Sequence, residues 1–444
     1  MLQLPDSFIS LSKEIFKEEY SDFLNALESK SPTSIRINDK IDLIPSNEQV
    51  NWCKTGFYLN ERPLFTADPL FHGGAYYVQE ASSMFLHQVV KQHFSEAKTV
   101  LDLCAAPGGK STLLAQTLGE DCLLICNEII HSRAQILTEN IIKWGNLNTI
   151  VTNNKPIDFK KFTNYFDAIV IDAPCSGEGM FRKDNKAIDE WSLHNIYKCV
   201  ERQKNILTDI WDSLKTNGIL VYSTCTYNYY ENENNIAWIC ENLGAENLSV
   251  ECNDNKITIT EYGYRFYPHK TKGEGFFISV LRKTSKNNIS THKHKSNKQF
   301  KSISNTDFST YLKNNLDLKI IEQDNLIKAF PSDRINDFQF IESQLNCLYN
   351  GLLIGETKGR DFIPSIQLAL SKQIERNNIA SYEIDKTNAL KYLKKEQINL
   401  SIQEKKYVLI CYKGLSLGWV KNLGNRNNNL FPNNWKIRMN IPIE

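Results

Sequence analysis

The feature that most constrains this chain is a series of five short apolar runs, at 100–103, 123–126, 148–151, 166–171 and 218–223. Each ends in a polar or reactive residue, and helical periodicity lies between them over 110–118, 131–144 and 195–214. Runs of this length without alternation read as strands buried on both faces, and strands alternating with helices mean βαβ units in a parallel sheet. In such a sheet, ligands sit beyond the carboxyl ends of the strands. The unusual residues of this chain fall there: 104–110, Glu128, 172–177 and the pair Thr224-Cys225.

The flanks read differently. Phe8, Leu11, Ile15 and Phe16 share a helical face, and Phe23, Leu24 and Leu27 predict a second short helix. Residues 34–38 alternate like a strand, His72-Gly73-Gly74 is a turn signal, and a helix is expected over 79–94. Residues 284–306 have almost no apolar side chain and predict a basic linker. Beyond it, 307–330 and 364–395 look helical, 340–354 looks strand-like, and 406–421 predicts a hairpin around Lys413-Gly414.

Composition excludes several classes. With 444 residues, 41% apolar and 23% charged, the chain can bury several cores and is not wholly disordered. No window approaches the roughly 18 consecutive apolar residues of a membrane span. The N-terminus has no apolar signal region, so a cytoplasmic protein is expected. The net charge of +1 conceals local stretches: residues 282–306 hold seven Lys/Arg and no acid, and 401–444 hold seven against two acids. These allow a polyanionic partner. The eleven cysteines form no CxxC pair, and nothing at zinc-finger spacing follows Cys122 and Cys126, so no metal site is expected.

Three segments carry chemistry. The first is LDLCAAPGGKST (101–112), a strand end, a glycine-rich turn and a helix start. A phosphate loop needs glycine at 104, where this chain has Cys104. A packing turn and an S-adenosylmethionine loop remain. Glu128 favours the second, because it closes the next strand about 20 residues on, where doubly wound folds place a ribose-binding carboxylate. The second segment is DAPCSGEGMFRKD (172–184), with a carboxylate and a thiol at a strand end. The third is YSTCTYNYYENE (222–233), again a thiol just past a strand. Two thiols beside a cofactor loop suit one reaction. Cytosine C5 is too electron-poor to take a methyl group until a thiolate adds to C6.

Together these three segments resemble the Sun-type RNA cytosine-C5 methyltransferases, and 68–84 and 265–283 are similar to that family as well. The resemblance spans at least residues 1–283. Segments 351–370 and 414–437 resemble the branch that methylates small-subunit rRNA and carries a PUA-like module. It implies a doubly wound, Rossmann-like α/β domain of the class I methyltransferase type over 76–283. A small N-terminal α/β RNA-binding extension is implied over 1–75, and a C-terminal α+β PUA-like RNA-binding region over 307–444. It implies that Cys104, Ala105, Ala106, Pro107, Gly108, Gly109 and Lys110 form the S-adenosylmethionine loop. Glu128 binds the ribose, and Asp172 lies near the cofactor and the cytosine ring. Cys225 is the nucleophile and Cys175 assists release. The chemistry alone does not choose between the thiols, since DNA cytosine-C5 methyltransferases use the cysteine of a Pro-Cys pair, here Cys175. The partner implied is RNA, as small-subunit rRNA or a 30S particle, taken by a monomer without metal. A tRNA substrate and a non-catalytic ribosome-assembly factor are the rival readings. One departure stands out: Lys155 occupies the place of an acid that the family sets near the adenine, leaving Asn154 as an alternative contact.

For RNA contact the sequence offers Arg36, Arg182 and Lys183. The tail adds Lys413, Lys421, Arg426, Lys436 and Arg438, interleaved with Tyr412, Trp419, Phe431 and Trp435.

Overall fold

A computed structural model describes residues 2–43, 45–286, 301–303, 308, 310–313, 317–359, 361–402 and 404–441. Most of the expected basic linker, 287–300 and 304–306, lies outside the described residues.

The N-terminal part begins with helices α1 (Asp6–Phe16) and α2 (Tyr20–Glu28). Their aromatic stripe docks on the central domain: the Phe16 and Phe23 rings stack at 3.8 Å, and Phe8 meets Phe181 at 4.9 Å. Strands β1 (Thr33–Ile37), β2 (Gln49–Val50) and β3 (Cys53–Leu59), helix α3 (Pro69–His72) and strand β4 (Tyr76–Val78) follow. The four strands form an antiparallel sheet in the order β2-β3-β1-β4. The expected helix over 79–94 is shorter than predicted. A 3-10 turn fills 82–85, and α4 covers only Leu86–His93.

The central domain follows the predicted alternation closely. In chain order come β5 (Thr99–Asp102), α5 (Gly109–Thr117), β6 (Leu123–Asn127), α6 (His131–Trp144), β7 (Thr149–Thr152) and β8 (Phe166–Asp172). They are followed by α7 (Asn185–Glu190), α8 (Leu193–Ile210), β9 (Leu214–Thr224), α9 (Glu233–Ile239), β10 (Ala245–Leu248), β11 (Thr258–Thr260), β12 (Gly263–Phe266) and β13 (Phe276–Lys283). Five strands lie parallel in the order β9-β8-β5-β6-β7. Two cores cover the two faces, Val100, Leu124, Val170 and Val221 on one and Leu101, Ile125, Ile169 and Leu220 on the other. This double burial is why the strands read as continuous apolar runs. The chain leaves β5 in one direction to β6 and returns on the other side to β8, so the crevice of a doubly wound sheet opens between the ends of β5 and β8.

The C-terminal region holds β14 (Lys301–Ile303), β15 (Leu318–Gln323), β16 (Leu326–Pro331), α10 (Ile335–Gln344), β17 (Cys347–Asn350), β18 (Leu352–Lys358), β19 (Asp361–Pro364) and α11 (Ile366–Leu370). Then come β20 (Ser381–Glu383), α12 (Lys386–Leu393), β21 (Lys406–Tyr412), β22 (Leu415–Asn422) and β23 (Asn427–Asn429). Strand β17 pairs antiparallel with β7, at the edge of the central sheet. A helix is expected over 307–330, and among the described residues of that stretch none is formed beyond a single helical turn position at Phe308. Residues 318–331 make a hairpin instead, because Asp324 and Asn325 both adopt positive φ (51° and 65°), the turn that suits twisted strands. Helix α10 occupies the start of the strand expected at 340–354, and β20 divides the helical stretch expected at 364–395. The hairpin at 406–421 forms as predicted, with positive φ at Lys413 and Gly414. Among the described residues no helix is long and apolar enough to cross a membrane.

One buried cation joins the N-terminal sheet to the central domain. Arg36 on β1 is 0% exposed, and burial lowers its guanidinium to about 10. It donates to Gln79 Oε1 (2.9 Å), Thr112 Oγ1 (2.5 Å) and Gln116, and lies 4.4 Å from the Trp144 ring. Arg36→Lys keeps the charge but loses the planar fork, leaving buried acceptors unpaired. A loss of about 3 kcal/mol in urea unfolding is expected, and an unchanged midpoint would show that the fork is dispensable.

Candidate active site

The loop after β5 is held from behind. Ala105 N–H donates to Asn127 O at 2.8 Å. Side chains of α6 draw its carbonyls outward: Arg133 donates to Ala106 O and Asn140 to Pro107 O, both at 2.8 Å. The Ala106–Pro107 peptide is cis, and Gly108 sits at φ +116°, a backbone state that favours glycine. The loop thereby delivers the first turn of α5, whose leading N–H groups lack acceptors within the helix, to the crevice. Glu128, 3% exposed at the end of β6, accepts from Ile130 N–H (2.9 Å) and faces Arg133 at 3.4 Å. Below the loop, Asp102 accepts from the Ser111 hydroxyl at 2.6 Å, while its other oxygen is buried without a hydrogen-bond partner.

The carboxyl ends of β8 and β9 carry the reactive groups. Their ladder sets Asp172 opposite Ser223, and the Ser223 hydroxyl donates to Asp172 Oδ1 at 2.9 Å. Lys110, from the first turn of α5, reaches Asp172 Oδ2 at 2.8 Å. Burial works to depress the Lys110 ammonium, but Asp172, helped by Asp102 and Cys225, carries it above its ordinary value. Lys110 therefore stays cationic. Cys175 Sγ lies 3.2 Å from Cys225 Sγ, and the Cys225 N–H points at Cys175 Sγ from 3.4 Å. Contact with Cys225, followed by burial, pushes the Cys175 thiol well above its ordinary value. Cys175 is thus a protonated thiol at neutral pH, hydrogen-bonded to a second sulfur.

Two buried glutamates fix the thiol loops. Glu231 accepts from Ser176 N–H (3.0 Å), Gln203 (2.8 Å) and Asn228 (2.9 Å). Burial raises its carboxyl, and these donors oppose the rise. Glu178 accepts from the Trp191 indole (3.0 Å) and from the N–H groups of Tyr227 (2.6 Å) and Asn228 (3.0 Å). The Gly179 N–H closes the pair of loops on Cys225 O at 2.8 Å.

The structure brings all the predicted site residues to one end of one sheet: Cys104 to Lys110, Glu128, Asp172, Cys175 and Cys225. Sequence reasoning missed the bracing roles of Glu178, Glu231 and Ser223. Their only sequence signal was a place within the thiol segments. Lys155 is exposed. Asn154 is already engaged, donating to Asp158 (3.3 Å) and accepting from Asn346 N–H (3.0 Å). Several expected RNA contacts are structural instead. Arg36 is buried in the seam described above, and Arg182 is buried against Glu274 at 2.8 Å. Tyr412, Trp419 and Phe431 are core residues of the C-terminal region. Lys421 pairs with Asp361 at 3.0 Å, while Lys413, Arg426, Lys436 and Arg438 are exposed.

Three family models match the chain. The N-terminal domain of 16S rRNA methyltransferase RsmF covers residues 4–81, 16S rRNA methyltransferase RsmB/F covers 90–282, and the methyltransferase RsmF PUA domain covers 380–437. The ribosomal RNA small subunit methyltransferase F of Shewanella oneidensis is 31% identical across 97% of this chain and 97% of its own length. The protein of the same name from Pectobacterium atrosepticum is 33% identical, and there the match spans 63% of each chain, less than two thirds of the relative. Among solved structures, a methyltransferase homolog protein from Pyrococcus horikoshii is 28% identical with a TM-score of 0.55, over 64% of this chain and 96% of that one. NSun6 from Pyrococcus horikoshii, solved with SFG, shares the fold at 22% identity and a TM-score of 0.54, over 63% of this chain and 98% of that one.

The buried Asp102 makes stability pH-dependent. Burial pushes its carboxyl from 3.8 up to about 7, against the Ser111 hydroxyl and Lys110. The folded state then favours the protonated form, so this stabilisation is full below the unfolded value and is lost as pH rises toward 7. The loss amounts to at most about 4 kcal/mol. Asp102→Asn is expected to flatten the decline in urea stability between pH 4 and 7. Parallel profiles for variant and wild type would contradict this assignment.

Proposed function

The chain belongs to the family of ribosomal RNA small subunit methyltransferase F proteins, and from that premise we propose that it methylates C5 of a cytosine in small-subunit rRNA using S-adenosylmethionine. The observation that carries the reading is the pair of thiols 3.2 Å apart beside the Lys110–Asp172 ion pair.

The residues present fit the cofactor. A backbone loop held by Arg133 and Asn140, a buried carboxylate at Glu128 and a partnerless oxygen of Asp102 form a polar cradle, and Ile129 and Ile157 are exposed apolar groups beside it. Residues 104–110 hold the polar end of the ligand, and Glu128 takes the ribose hydroxyls. Asn154 and Asp158, paired at 3.3 Å on the turn that carries Lys155, are the groups left to take the adenine contact of the acid missing at Lys155. When bound, S-adenosylmethionine supplies an electrophilic methyl group.

The protein's own groups prepare the base. Cys225, as thiolate, bonds to C6, and the ring electrons move onto C5 and N3. Asp172 hydrogen-bonds the ring and steadies the adduct, its orientation fixed by Lys110 and Ser223. C5 is then enamine-like and would take the methyl group, the methyl–sulfur bond of the sulfonium breaking so that its electron pair leaves on a neutral thioether. Solvent takes the C5 proton, the electron pair of that C–H bond forms the C5–C6 double bond, and the Cys225 thiolate is expelled. The protonated Cys175 thiol donates a hydrogen bond to the departing sulfur. The residues at 1–75 and 307–444 flank the catalytic domain as RNA-holding regions, and the target base leaves its stack to reach the thiols.

Cys225→Ala is expected to abolish transfer of labelled methyl groups to 30S particles or deproteinised rRNA. Cys175→Ala is expected to accumulate a protein–RNA adduct that survives denaturing electrophoresis. An active Cys225→Ala, with Cys175→Ala inactive and free of adduct, reverses the assigned roles. Label in tRNA alone moves the substrate, and no label in any RNA despite cofactor binding favours an assembly factor. Glu128→Ala is expected to weaken S-adenosylmethionine binding about tenfold or more by calorimetry, the cost of losing charge-assisted hydrogen bonds. Unchanged affinity removes Glu128 from the site.

A further inference from the structure

A groove of about 440 Å³ runs along the seam between the N-terminal region and the catalytic loops, with Lys30, Ser31, Arg62, Arg182 and Lys272 on its walls. Its floor is Arg182, held by Glu274 Oε2 (2.8 Å), Gly273 O (2.6 Å), Ala26 O (3.1 Å) and Ser29 Oγ (3.1 Å). The same Glu274 carboxylate also serves Lys183 at 3.4 Å and the Ser31 hydroxyl at 2.5 Å. Glu80, whose Oε1 accepts the Glu274 N–H at 2.9 Å, is a second carboxylate there, so Arg182 and Lys183 are matched beneath the groove and the unmatched positive charge lies on its walls, at Lys30 and Arg62. At the rim, Lys272 pairs with Glu48 at 2.6 Å and lies 4.5 Å over the Tyr58 ring. Lys30 and Arg62 are exposed and have no ion pair among the described residues, and Glu61 is the acid on the wall.

The place of the groove gives this charge a purpose. Arg182 lies three residues beyond Gly179, whose N–H binds Cys225 O at 2.8 Å. A Cβ on Gly179 would stand 2.5 Å from Gly275 O, so the segment carrying Gly273 packs directly on the nucleophile's loop. The two segments that bound the groove thus meet at the loop carrying Cys225, one through Gly179 and the other through Gly275.

We infer that this groove is the track for the RNA backbone flanking the target nucleotide, with Lys30 and Arg62 neutralising phosphates. The inference rests on the proposed reading of the protein as an RNA methyltransferase. It replaces the expected RNA contact of Arg182 with two exposed side chains, Lys30 and Arg62, the second set 5.4 Å from the Phe65 ring. A sugar–phosphate chain suits the site because its walls carry ammonium and guanidinium groups for phosphates, while Pro32, Leu59 and Pro268 offer apolar surface to the sugars and bases between them.

The test uses the full-length protein, a fluorescein-labelled single-stranded RNA and a salt series read by fluorescence anisotropy. For Lys30→Ala with Arg62→Ala, Kd at about 0.1 M salt is expected to rise roughly tenfold. The slope of log K against log salt should flatten by about 1.4, two phosphates at 0.7 each. S-adenosylmethionine affinity and melting temperature should match wild type, since both side chains are exposed. The charge-reversed pair, Lys30→Glu with Arg62→Glu, should weaken binding further. An unchanged Kd and slope in both variants, with wild type binding and methylating RNA, overturns the groove alone. A wild-type protein that binds no RNA overturns the groove and the proposed function together.

Discussion

The site depends on the register of two neighbouring parallel strands. Strands β8 and β9 pair so that Asp172 stands opposite Ser223, and the two thiols follow three and two residues later. Adjacent strands lie about 4.8 Å apart, so groups just past their ends can meet without distorting the backbone. A slip of one residue would turn Asp172 to the other face and separate it from both Ser223 and Lys110. The apolar cores on both faces resist that slip, because it would move every buried side chain of β8 at once.

Bringing two thiols, a carboxylate and an ammonium into a largely buried crevice is costly unless each group is answered. Lys110 and Asp172 answer each other. Glu178 and Glu231 are answered by indole, amide and backbone donors, and so serve as rigid braces for the loops that carry Cys175 and Cys225. Asn127 performs the same service across the strand ends, donating to Leu103 O and Asn154 O and accepting from Thr152 and from the Asn154 N–H. Among the described residues, Asp102 beneath the loop that follows β5 keeps one buried oxygen unanswered.

The outer regions are joined to the central domain by buried polar contacts as well as apolar packing. Arg36 holds the first turns of α5 from the N-terminal sheet, and Lys40 donates to the carbonyls of Lys143 (2.5 Å) and Leu370, joining the N-terminal region to the ends of α6 and α11. Strand β17 extends the central sheet from the C-terminal region. These seams place basic and aromatic residues around the crevice, but many of those residues are consumed in making the seams.

The sequence by itself determined the parallel sheet, since runs such as 100–103 and 166–171 are apolar on both faces and their period admits little else. It also marked the candidate site residues, because a glycine-rich turn and two thiols stand directly after strand ends, where doubly wound sheets hold their ligands. Only the tertiary structure decided which charged residues are free. Arg36 and Arg182 look like surface cations in the sequence, yet both are buried, because a guanidinium can satisfy several distant carbonyl and amide groups that lie far apart in the chain. The hairpin at 318–331 was hidden for a related reason: its apolar residues fit either period, and the Asp324-Asn325 turn that separates them is a two-residue signal. The roles of Glu178 and Glu231 were equally hidden, since burial of a carboxylate is a property of the loops that fold over it and leaves no mark on its own position in the chain.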